Sequence, residues 1–215
     1  MLCLYTELKG WQGLIGSLMG FGSLIAGALF NSQLNRKRDK LLRQDEMIAV
    51  ASALYGEILV QRRSVAYMAN AVANRYWDWG TGKLGQVRPF DKHFIEWVSL
   101  PPLKLYPALE AKIGMLPSDL VLEVVMFYAH VEQAKTWLPK LVDDPERPFS
   151  YGIDFVLDPS IKAVEGASKV LQIIESISKI TQTKEIPNIT RAREVLKFEL
   201  ERRMQADQGQ FDLSQ

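Results

Sequence analysis

The sequence predicts an all-α protein, and three observations carry that expectation. Apolar residues recur at helical spacing over long stretches. Prolines gather mainly between those stretches. Neither a β-hairpin signal nor strand–helix alternation occurs. In more detail, the expectation is an N-terminal single transmembrane helix continuing into a cytoplasmic antiparallel helical bundle with irregular, Pro-rich connections. The 215 residues are 47% hydrophobic and 24% charged with a net charge of +1. That is ordinary globular usage, which excludes collagen, a fully disordered chain and a polytopic membrane protein. It also excludes a strongly basic nucleic-acid binder, so no nucleic acid is expected as a partner. A single cysteine cannot form an internal disulfide, and two histidines leave a Cys/His metal site nearly excluded.

Residues 1–10 read as a short extracytoplasmic N-terminus. Residues 11–30 carry no charge, and at about 1.5 Å rise per residue they reach about 30 Å, the thickness of a bilayer core. Tyr5 and Trp11 lie on the N-terminal side, where amphipathic rings favour the interface. Residues 31–44 follow as a basic juxtamembrane segment, with Arg36, Lys37, Arg38, Lys40 and Arg43 against Asp39, a sum of +4. Positive charge stays inside. The N-terminus is therefore expected out and the C-terminal domain in the cytoplasm, at a bacterial inner membrane, with the five cations against lipid head groups. Ala26-Gly27-Ala28 has the look of a signal-peptide cleavage site, but the preceding segment lacks the positive charge of a leader. A buried core helix and an interfacial helix fit less well, because the run is apolar all round. Gly13, Gly16, Gly20, Ser23 and Gly27 are spaced 3, 4, 3 and 4, a small-residue stripe that lets two helices approach closely. The partners this predicts are the lipid bilayer and either a second copy of the chain or another membrane protein.

Residues 45–206 read as the helical cytoplasmic domain. No proline precedes Pro89, so helix is expected to continue out of the span to Arg75, with Leu41, Ile48, Ala51, Leu54, Ile58, Val65 and Val72 on its apolar face. Breaks at residues 31–35 or at Gly56 are alternatives. Trp77, Asp78, Trp79 and Gly80 end that stretch. Residues 80–116 read as irregular, cut by Pro89, Pro101, Pro102 and Pro107, with a two-turn helix near residues 91–100. A second helix opens at Ser118, read as its cap, and runs to Pro139. A third opens at Asp158-Pro159, the cap-then-proline order, with Val164, Ala167, Leu171, Ile174 and Ile177 inward. The last follows Pro187 and offers Val195, Leu196, Phe198 and Leu200. Residues 207–215 read as a disordered tail.

Catalytic chemistry is hard to find. A di-iron bundle needs Glu-x-x-His pairs, and neither His93 nor His130 has a glutamate three residues before it. Cys3 lies far from both histidines. There is no nucleophile elbow, phosphate-cradling loop or dinucleotide fingerprint. No catalytic residue, cofactor or metal is assigned. The remaining cluster is aromatic: Tyr76, Trp77, Trp79, Phe94 and Trp97, with Arg88 among them. These residues either close one end of the bundle or line a partner groove.

The order of parts, a Gly-rich span, then NSQLNRKRDK, then a long helix containing ALYGEIL, resembles that of uncharacterised bacterial single-span inner-membrane proteins with a helical cytoplasmic domain. So does YPALEAKIGMLPSDLVLEVVMFY. The resemblance covers most of the chain and implies architecture and location, with no catalytic residue to carry over. The function expected is a membrane-anchored helical interaction or scaffold module that self-associates through its small-residue stripe. The alternative is a membrane-acting effector whose transmembrane helix oligomerises to perturb the bilayer. An enzyme built on the bundle ranks last.

Overall fold

The computed structural model describes residues 2–80, 89–142, 152–180 and 185–212, with the side chains of 2–10, 12, 14, 15, 80 and 206–212 left out. Every regular element among the described residues is helical: α1 (Leu2–Gly80), α2 (Lys92–Trp97), α3 (Leu105–Ile113), α4 (Ser118–Trp137), a 3-10 helix (Leu138–Leu141), α5 (Asp154–Ser178) and α6 (Thr190–Asp212). The chain divides into two compact units, Met1–Met47 and Ile48–Gln215.

In the first unit α1 runs without a break through residues 31–35. No proline interrupts it, and glycine alone weakens a helix by only about 1 kcal/mol relative to Ala. Every described side chain from residue 16 to 46 is exposed. Among the described residues no helix is long and apolar enough to cross a membrane, so the expected span at residues 11–30 is not found there. The described side chains of residues 16–30 are fewer than the roughly twenty that a bilayer core needs. Polar Asn31, Ser32 and Gln33 follow.

In the second unit, the remainder of α1 is the central helix. Leu54, Ile58, Val65, Met68 and Val72 are fully buried, a spacing of 4, 7, 3 and 4 that keeps one face inward. Leu120, Val124, Phe127 and Val131 of α4 and Val164, Ala167, Leu171 and Ile174 of α5 are buried as well and make up the rest of the core. Side-chain pairs give the directions. Tyr55 Oη donates to Glu175 at 2.8 Å and Arg62 to Ser168 Oγ at 2.5 Å, so α1 and α5 are antiparallel. Lys169 pairs with Glu123 and Phe155 stacks on Trp137, so α4 and α5 are antiparallel too. Arg203 pairs with Asp154 and Arg193 with Glu165, which sets α6 antiparallel to α5. Of α1, α4, α5 and α6, α5 opposes the other three, which run parallel. The antiparallel expectation holds for the pairs that α5 makes. The α1-to-α4 connection has to return along the bundle, which accounts for its length and its prolines.

Four local expectations are corrected. Residues 80–116 contain a helix that the prolines concealed, α3. Pro107 lies in its first turn, where a missing N–H leaves no bond unmade. Ser118 makes no capping bond; α4 starts after Pro117 as its cap residue. Asp158-Pro159 is not a helix start, because α5 begins at Asp154 and Pro159 sits inside it, buried. Burial of Val156 and Leu157 on that first turn favours helix there over the local proline signal. In α6, Phe198 and Leu200 are exposed while Ala192, Val195 and Glu199 are buried. The spacing of 3 and 4 was present in the sequence, but an acidic residue concealed its last member.

Candidate functional site

Three features carry functional potential, one in the first unit and two in the second. The first is the uncovered apolar helix. Leu18, Met19, Phe21, Leu24, Leu29 and Phe30 are all more than 60% exposed. The stripe residues Gly13, Gly16, Gly20, Ser23 and Gly27 lie on this segment, exposed as well. A Cβ added to any of its four glycines would meet nothing within 4 Å. Nothing among the described residues uses the room these glycines leave, although each weakens the helix relative to alanine. Arg36, Lys37, Arg38, Lys40 and Arg43 follow, all exposed. Arg36, Lys40 and Arg43 share one helix face at i, i+4 and i+7.

The second feature is structural. Glu57 of α1 accepts three backbone N–H bonds at the start of α3, from Lys104 (2.7 Å), Leu105 (2.8 Å) and Tyr106 (2.9 Å). The Tyr128 phenol donates a fourth at 2.9 Å, and its ring stacks on Tyr106. Burial alone would raise the Glu57 pKa. The three N–H donors and the phenol outweigh it and hold the carboxyl below its ordinary value. The α3 sequence supplies no cap of its own, so α1 caps α3 from outside.

The third feature is a groove of about 650 Å³ between α1 and the α2 region. Its α1 face is Tyr67, Asn70, Ala71, Asn74, Arg75 and Asp78, with Trp79 at the end. The 3-and-4 spacing of these residues places them along one side of the helix over about 16 Å. Asp91, His93, Phe94 and Trp97 form the opposite wall. Asp91 is the N-cap of α2: one carboxylate oxygen accepts from Phe94 N–H at 2.7 Å, and the other meets Arg75 at 3.2 Å. Arg75, part-exposed, has several partners. It donates to the Pro89 carbonyl at 2.7 Å, and its guanidinium lies over Trp79 at 4.7 Å and Phe94 at 5.5 Å. Tyr67 and Trp97 meet edge to face at 5.5 Å.

Of the aromatic residues singled out from sequence, Trp79, Phe94 and Trp97 line this groove. Tyr76 and Trp77 turn to α6 instead. Tyr76 hydrogen-bonds buried Glu199, which Arg202 also holds; burial first and the carboxylate second push the Tyr76 pKa up. Trp77 packs against Phe198 and beneath Arg191. Arg88 lies outside the described residues. Sequence reasoning missed Tyr67, Asn70, Asn74, Asp78 and Asp91. The signal was there: positions 67, 71, 74 and 78 are one helical stripe leading into the aromatic cluster.

Among the described residues no cluster of three or more His, Cys, Asp or Glu could hold a metal ion. No protein-family model matches the chain, and comparison with curated proteins and with solved structures finds no match either.

Proposed function

We propose that this protein is a membrane-anchored helical module, held at the bacterial inner membrane by α1 and presenting its bundle to the cytoplasm. The observation that carries the reading is the uncovered run of residues 16–30, apolar all round and continuous with the uncharged residues before it. Monomeric soluble proteins rarely leave so much apolar surface in water, and lipid is the solvent that accepts it from every side. The exposed basic segment at residues 36–43 supports the same reading, because cations beside a span hold that side in the cytoplasm. The open glycine stripe supports self-association, since close helix approach in lipid is driven by packing at small residues.

The test is fractionation of the full-length protein, followed by an alkaline carbonate wash of the membranes. The chain is expected to stay in the washed pellet, and a Leu18→Lys/Leu24→Lys variant to move to the soluble fraction. Release of the unsubstituted chain by the wash overturns the anchor. A reporter fused after residue 215 is expected to read cytoplasmic; a periplasmic signal overturns the orientation.

A further inference from the structure

We infer that the groove between α1 and α2 is a binding site for a small organic cation, with an ammonium or guanidinium head joined to an apolar body. The inference is independent of the membrane anchor, because every lining residue lies in the second unit.

The volume is that of a small-molecule site, which falls at about 300–1,000 Å³. Its walls carry more exposed aromatic surface than packing requires: Tyr67 is 53% exposed, Trp79 46% and Trp97 61%. Rings left exposed beside a groove offer surface to a cation or a flat apolar body. The protein already shows the interaction with its own side chain, since Arg75 sits over two of the rings with the Asp91 carboxylate beside it. That pair neutralises itself.

The carboxylate left over on the described walls is Asp78. Asp78 is exposed on the α1 wall, so its charge is available to a ligand. One end of the groove is therefore anionic and the other, between Tyr67 and Trp97, aromatic. Ala71 leaves space on the floor between them, and Asn74 adds a polar group midway. A head-and-body cation matches that order. An anion would meet Asp78, and a neutral ligand would leave it unused.

The test is calorimetric titration of the full-length chain in neutral detergent micelles, with protein-free micelles subtracted. The probes are 4-phenylbutylammonium, the neutral 4-phenylbutanol and the anionic 4-phenylbutanoate. Saturable one-to-one binding of the ammonium is expected, at least tenfold tighter than the alcohol, with the carboxylate weakest. Asp78→Asn should weaken the ammonium three- to tenfold and leave the alcohol unchanged, which also reports that the groove is intact. Trp97→Ala should weaken both. The proposal is overturned by an absence of saturable binding, by equal affinity for the alcohol, by an Asp78→Asn variant that binds the ammonium unchanged, or by tighter binding of the carboxylate, which would point to Arg75 instead.

Discussion

Glu57 shows how one side chain organises a segment that follows it by nearly fifty residues. Its carboxylate replaces the cap that α3 lacks, and each N–H it accepts is a donor a helix start otherwise leaves unpaired. Because its pKa is depressed in the folded protein, its contribution is present above the unfolded-state value and lost as pH falls through the lower folded value. Glu57→Gln is therefore expected to be less stable than the unsubstituted chain near pH 7, by about 1–2 kcal/mol for weakened charge-assisted hydrogen bonds. The two stabilities should converge as pH falls from about 6 to about 3. Chemical denaturation at several pH values checks this; a difference independent of pH would mean that the charge is irrelevant. The cap could not be read from sequence, because nothing near Glu57 announces a helix start at Leu105. Arg62 was equally hidden. Its buried guanidinium donates to the Val164 carbonyl at 3.1 Å and to Ser168, and its spacing from Ile58 and Val65 marked the position as inward while its charge argued for the surface.

Among elements, α1 combines two chemistries in one uninterrupted helix. Its helical character was legible from the absence of proline and the apolar spacing. Its continuity was not, since breaks at residues 31–35 or Gly56 were open as alternatives and the structure shows neither. The helices α4 and α6 were legible too, each opened or closed by a proline. The start of α5 and the existence of α3 were not, because Pro159 and Pro107 point one way locally and tertiary burial the other. The glycine stripe is the feature of α1 that its own chain leaves unexplained. Gly16→Ile with Gly20→Ile is expected to weaken self-association in detergent at least tenfold by sedimentation equilibrium, through loss of close backbone approach. Helix content should not fall, because isoleucine is a better helix former than glycine. Unchanged oligomer size would remove the stripe as an interface.

For the whole molecule, the division into two units makes a simple prediction. A chain lacking residues 1–44 is expected to keep its cooperative thermal transition within about 2 °C, a shift equivalent to well under 1 kcal/mol for a domain of this size. Circular dichroism melts decide it, and loss of the transition would show that the bundle depends on the removed segment. The all-helical class of the molecule was written in its periodicity. The parallel course of α1, α4 and α6 was not, because periodicity reports which face of a helix is buried and never which neighbour covers it. The groove was half legible: its aromatic wall stood out, while its α1 face looked like any other polar helical stripe.

That parallel course also has a consequence in time. The bonds that close α1 into the bundle join residues 120, 106 and 123 apart, in Tyr55–Glu175, Arg62–Ser168 and Tyr76–Glu199. During synthesis the bundle half of α1 emerges first, and its α5 and α6 partners follow more than a hundred residues later. At about 5–20 residues per second, on the order of ten seconds pass before α5 and α6 can complete the cover of that face. A helical protein that folded through hairpins of adjacent helices would have no such interval. For this chain, the nascent state at the ribosome is the stage most exposed to aggregation and most open to capture by a chaperone.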